Sequence, residues 1–258
     1  MTVKKYTLIL LILCAVVNSG NAQNLKARYG TFALTNASVE TITDGVLQNA
    51  TVIIHNGKIE SVGTDVKLPD SAEVVDCTGL WIYPGMIDSG TKAGLFEIGM
   101  ISQASDVSEV GDVVPQMRAL TAVNPNSAGI PVTRISGVTT TLTVPEGELF
   151  AGTAALINLH GYTPDQMFAG FEAVVLTFPR TGRLGPMDKR KDEEIKKATE
   201  KAMTRLNDVW GKAVQYHKLD SATKAKMAYY PEMQALLPVV RGQTSLIIDV
   251  DDERDIRS

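Results

Sequence analysis

The chain has 258 residues, with 25 Lys and Arg against 29 Asp and Glu, for a formal net charge of −4. This mild acidity excludes the electrostatic footprint of a nucleic-acid binder or of a protein held on anionic lipid. With only two cysteines, Cys14 and Cys77, a disulfide scaffold is excluded as well, and a packed apolar core must carry stability.

Residues 1–22 read as an export signal. Lys4 and Lys5 make a basic start, Leu8 to Val17 is almost wholly apolar, and Gly20 and Ala22 are the small residues expected before a cut at Gln23. The apolar run is shorter than the ~20 residues that span a bilayer, so no retained membrane anchor is expected. Leu13 stands before Cys14 where a lipoprotein signal wants a small residue. The protein is predicted to be exported, periplasmic or secreted. Losing Lys4 and Lys5 takes the charge from −4 to −6 and leaves Cys77 as the only thiol. Set in Val74-Val75-Asp76-Cys77, it reads as a small buried hydrophobe.

Residues 23–80 carry short β-rich runs: Phe32 to Leu34, Val52 to Ile54, Ile59 to Val62 and Glu73 to Asp76. Asn56-Gly57 between two of them supplies the positive φ angles of a tight hairpin. Strands this short and close predict a small sheet or β-sandwich. Asn36-Ala37-Ser38 and Asn49-Ala50-Thr51 are glycosylation sequons within it.

From residue 81 the rhythm changes. Gly137 to Val144, Ala154 to Leu159, Ala173 to Phe178 and Ser245 to Val250 read as buried strands, separated by longer segments. Ile195, Ala198, Ala202, Leu206, Val209 and Ala213 recur at helical steps and predict one apolar helix face. Asp192–Lys196 and Glu193–Lys197 are expected as i,i+4 pairs on the outer face. Pro231 opens a second helix ending near Pro238 and Gly242, and a further helix starts at Arg254.

Between these two regions lies Gly79–Gly94, GLWIYPGMIDSGTKAG, an apolar run broken by Pro84-Gly85, then Met86-Ile87 ending at Asp88. It resembles the first barrel strand of the amidohydrolase superfamily (imidazolonepropionase-like or amidohydrolase-related), where such a run leads into His-x-His. Asn36 to Gly63 resembles the N-terminal strands of that family, which form a sandwich completed from the far C-terminus. Gly137-Val138-Thr139-Thr140 resembles an early barrel strand. The resemblance implies an α/β fold: a partial TIM-like (β/α) barrel over residues 81–258, of about four βα units, after the sandwich portion at 23–80. A closed barrel takes about 250 residues, so the sequence is expected to be a fragment or one half of a split protein. The resemblance further implies an exported hydrolase of a non-peptide or cyclic-amide C–N bond, in which metal-bound hydroxide attacks and an aspartate moves the proton. The alternative is a non-catalytic exported relative that binds a small molecule or a partner through the barrel mouth. The fragment itself is expected to be inactive and to self-associate through open sheet edges.

The family's His-x-His positions are Gly90 and Lys92 here. Glycine has no ligand atom, and lysine at neutral pH has no lone pair to give. His55, His160 and His217 are scattered, so no metal or other cofactor is expected on this chain, although zinc or another divalent metal is implied for a full-length parent. Asp88, Lys92, Glu97, Asp249 and Asp251 are the candidate pocket residues, with Lys92 expected to pair locally with Asp88. Asp106, Glu109 and Asp112 fall in a loop that the barrel would place at its active face, either as pocket carboxylates or as solvated loop charges, with Asp88 then only capping a turn. Asp249, Asp251 and Asp252 read equally as a hard-cation cluster at a strand end or as an exposed loop before the next helix. No nucleophile elbow, P-loop or dinucleotide fingerprint is present.

Overall fold

The computed structural model describes residues 30–97, 105–183, 185, 187–222 and 228–256. The predicted export signal lies outside these residues. The chain divides between Pro84 and Gly85 into two compact units.

The first unit is one mixed sheet. It is built from β1 (Thr31–Glu40), β2 (Val46–His55), β3 (Lys58–Gly63), β4 (Glu73–Asp76) and β5 (Trp81–Ile82). The order is β3-β2-β1-β4, with β5 also pairing with β1. The hairpin β2–β3 turns at Asn56 (φ 49°) and Gly57 (φ 78°), as the Asn-Gly pair requires. Two bulges cancel along β1–β2. Leu34 faces Val52, but the pairing slips by one residue at Ala37–Ala50 and is restored at Val39–Leu47. Asn36 (φ 62°) and Asn49 (φ 53°), the sequon asparagines, take the left-handed conformations at these slips. Ala37, Val39, Ala50, Val52 and Cys77 form the core of this unit, so Cys77 is buried as expected. Of the small sheet or sandwich expected, the described strands make a single sheet, and all four residues of β4 stay exposed.

The second unit is a curled five-stranded sheet, ordered β10-β9-β8-β7-β6, with helices packed on it. Its strands are β6 (Met86–Thr91), β7 (Val138–Thr143), β8 (Phe150–Asn158), β9 (Phe168–Thr177) and β10 (Ser245–Asp249). Helices α1 (Ala119–Ala122) and α2 (Gly129–Ile135) lie between β6 and β7, and α3 (Pro164–Met167) between β8 and β9. Two longer helices, α4 (Asp192–Ala222) and α5 (Pro231–Val240), join β9 to β10, and α6 (Glu253–Ile256) follows.

The sheet corrects the expectation of four successive βα units. β6–β7 and β9–β10 are parallel, but β8 runs antiparallel to both β7 and β9. A parallel crossover needs a dozen or more residues. Residues 144–149 and 159–167, the connections on either side of β8, are too short for one, so the chain reverses twice. Four strands, β6, β7, β9 and β10, therefore share one direction, with a reversed strand between the two pairs.

The helix pair covers one sheet face. Leu206, Val209 and Ala213 of α4 and Leu236 of α5 pack on Phe150, Val174 and Leu176. The predicted apolar face of α4 is buried at Ile195, Leu206, Val209 and Ala213, while Ala198 is exposed. Its first-turn acids suit the positive end of the helix dipole. The expected partners on the outer face are exchanged: Asp192 pairs with Arg183, and Lys196 with Glu200 at 4.0 Å. On the other sheet face Ala151, Ala154 and Val175 pack with Leu142 and Ile247.

Candidate functional site

Strand direction fixes where a site belongs. In open parallel sheets and barrels alike, pockets form beyond the carboxyl ends of the strands. Here those ends are Thr91, Thr143, Thr177 and Asp249, and the reversed strand contributes its start, Phe150, to the same edge. Residues 105–118 run beside this edge. Glu146 N–H donates to the Val107 carbonyl (2.8 Å), and Leu149 and Phe150 N–H both donate to the Asp112 carbonyl (3.1 and 3.0 Å).

Three ion pairs occupy the edge. Lys92, just past β6, pairs with Glu146, just past β7. Arg180, past β9, pairs with Asp251, past β10. Each pair thus ties the ends of two parallel neighbours. The third joins Arg205 of α4 to Asp112, Nε to Oδ2 at 2.9 Å. The hydrogen bond from Arg205 holds the Asp112 carboxyl below its ordinary range and raises Arg205 in return. Asp112, Glu148, Phe178, Arg180, Arg205 and Asp251 line an open groove of about 670 Å³ between this edge and α4.

The predicted pocket residues separate under this geometry. Asp88 does not end its strand, since β6 runs on to Thr91. Its carboxylate accepts from the Gly90 N–H (3.2 Å), a local turn bond. Lys92 pairs with Glu146 and not with Asp88 as expected, because β7 brings Glu146 to the end of β6. Glu97 accepts from Asn124 Nδ2 at 2.8 Å and braces a loop. Asp249 is exposed at the end of β10, its carbonyl accepting from the Phe178 N–H at 2.9 Å. Asp251 is neutralised by Arg180, so the acidic run after β10 is an ion-paired strand end where a cation cluster was weighed. Of these residues only Asp251 lines the groove; Asp112, from the loop set, lines it too.

Sequence reasoning missed Glu146, Arg180 and Arg205. A signal existed for the first two, because each lies within three residues of a strand end whose neighbour carries the opposite charge.

The donor set does not fit the metal that the family resemblance implies. Gly90 offers no atom, and Lys92 is an ion-paired cation. His55 is held by Thr31 Oγ1 at 2.8 Å in the first unit, His160 is exposed after β8, and His217 of α4 meets Arg241 Nε at 3.4 Å. Among the described residues no three His, Cys, Asp or Glu side chains are grouped to hold an ion.

No protein-family profile matches the chain. Over 62 residues it is 45% identical to imidazolonepropionase of Idiomarina loihiensis, covering 22% of this chain and 15% of that protein. Over 128 residues it is 30% identical to imidazolonepropionase of Agrobacterium fabrum, covering 40% and 30%. The structure superposes on an amidohydrolase of Thermotoga maritima with a TM-score of 0.76 and 23% identity, over 88% of this chain and 60% of that one. The chain is related to the amidohydrolase superfamily. It shares the amidohydrolase fold over the strands described above and spans 15%, 30% and 60% of the length of these three relatives. The amidohydrolase-like edge is recognisable here by its strands and not by its ligands.

Proposed function

We propose that the protein is an exported hydrolase of the amidohydrolase type, acting on the C–N bond of a cyclic or other non-peptide amide, and that the 258-residue chain alone is inactive. The sequence similarity to imidazolonepropionases, on a sheet of amidohydrolase fold, carries this reading. The imidazolone ring is the substrate type that similarity favours. The contribution of these residues is architectural. They set two pairs of strand ends along one edge, brace each pair with an ion pair, and present one wall of a mouth that a small ring can enter. Activation of water and protonation of the leaving nitrogen are assigned to groups other than the candidate acids, because Asp88 is turn-bonded, Glu97 is held by Asn124, and Asp112, Glu146 and Asp251 are ion-paired.

Export rests on the basic, apolar, small-residue order of residues 1–22. No helix among the described residues is long and apolar enough to cross a membrane.

The test is ring opening, followed by the loss of ultraviolet absorbance, of imidazolone and dihydropyrimidine-type substrates. The product of the full open reading frame that contains these residues is expected to hydrolyse at least one of them, and the 258-residue chain none. A full product that binds such rings but leaves them intact overturns the hydrolase reading. Turnover by the short chain overturns its inactivity.

A further inference from the structure

The mismatch between this edge and the family's metal has a definite structural form. At the second of the two ligand positions the chain supplies a cation of its own, Lys92, fixed by Glu146 across the ends of β6 and β7. The surrounding backbone keeps those ends together. Val144 N–H donates to the Thr91 carbonyl at 2.8 Å, and Thr143 Oγ1 donates to the Ala93 carbonyl at 3.0 Å.

The first position shows that nothing in the fold demands a glycine. Gly90 does not take the left-handed backbone that favours glycine, and a Cβ placed there meets no atom within 4 Å. Other glycines of this unit differ. A Cβ at Gly85 would collide with Thr139, and one at Gly152 would lie 2.8 Å from the Met117 carbonyl oxygen. Glycine at 90 is thus not a packing requirement.

We propose that Lys92 provides from the chain itself the positive charge of the metal that the family resemblance implies, and that the first-strand site remains open to a metal once imidazoles are restored. In Gly90→His/Lys92→His, two imidazole nitrogens would join the Glu146 carboxylate, released from its lysine, as a nitrogen–oxygen donor set of the kind zinc accepts. The present side chains exclude the ion on two counts: an absent donor at 90, and an ammonium at 92 that repels it. The claim goes beyond the hydrolase reading, and its readout is metal binding, so neither stands or falls with the other.

The experiment is a Co(II) titration of the purified chain and of the double variant, followed by the visible absorption of the bound ion, with circular dichroism as the check on folding. The wild-type chain is expected to show no saturable signal, and the double variant to saturate at about one cobalt per chain. Adding Glu146→Gln to the double variant is expected to weaken binding at least about tenfold. Saturable binding of one cobalt by the wild-type chain overturns the proposal. So does a folded double variant that binds none. Loss of the native dichroism in the double variant contradicts it as directly, because Gly90 and Lys92 would then serve the fold.

Discussion

Phe150 is the largest fully buried side chain among the described residues. It is fully buried at the start of β8, where α4 and α5 meet the sheet, and it shares a cluster with Leu206, Val209 and Leu236. Phe150→Ala forfeits about 1.5–3 kcal/mol of burial. The cavity left among side chains anchored on three different elements brings the total to about 3–5 kcal/mol. Against a domain stability of roughly 5–15 kcal/mol that is a large fraction. The backbone bonds of Phe150 to Asp112 and Val114 survive the change, so the loss isolates packing. Ile87 in the same sheet is the control: 67% exposed on edge strand β6, it should cost less than about 0.5 kcal/mol when cut to alanine. Urea unfolding at low protein concentration, followed by the helical dichroism that α4 dominates, reads the difference. With a urea slope of about 1–3 kcal/mol per molar, Phe150→Ala should lower the midpoint by about 1 M or more. Equal midpoints for the two variants would refute the packing of α4 and α5 on this sheet.

Further outcomes follow from the ion pairs and the edges. Because Arg205 depresses Asp112, their bond stabilises above the ordinary carboxylate pKa and is lost as pH falls through the lower folded value. Arg205→Met should therefore cost about 0.2–1 kcal/mol near neutral pH, as befits a half-exposed pair, and nothing in strong acid; a deficit that persists in strong acid would refute the assignment. Met86 and Ile87 on β6 and Ile248 on β10 are exposed at the two edges of the curled sheet. Such edges pair between molecules, so sedimentation should find association of the chain, relieved by Ile87→Lys with Ile248→Lys, whereas a monomeric wild type would contradict it. Exported protein should begin at Gln23 by intact mass, and a mature chain retaining residues 1–22 would refute the cleavage.

Much of the sheet was legible because its strands announce themselves. The β-branched run at Val138–Thr143, the apolar run at Ala173 to Phe178 and the Asn56-Gly57 hairpin each impose their local structure whatever surrounds them, although β9 begins earlier, at Phe168. The buried stripe of α4 was legible for the same reason, its period being 3.6 residues. Strand direction was not. The apolar run of β8 serves either orientation equally well, and only the short connections at 144–149 and 159–167 decide it. Of the small sheet or sandwich expected for the first unit, the described strands make the sheet, and the four exposed residues of β4 read as strand in sequence but say nothing about what faces them. At the site, the empty ligand position Gly90 could be read directly. The partner of Lys92 could not, because Asp88 is near in sequence while Glu146 is near only once β6 and β7 lie parallel. Local charge spacing also misled on α4, where Arg183 from the preceding loop captures Asp192.

The direct test of an amidohydrolase-like edge held by its own ion pairs is thermal unfolding of the purified chain with EDTA and with added zinc. A native metal stabilises by mass action, at about 4 kcal/mol when present at a thousand times its dissociation constant. Lys92–Glu146 and Arg180–Asp251 need no ion, so the unfolding curves should superimpose under both conditions. A melting point that falls by several degrees in EDTA and returns with zinc would contradict this, and would place a metal where these residues put a lysine.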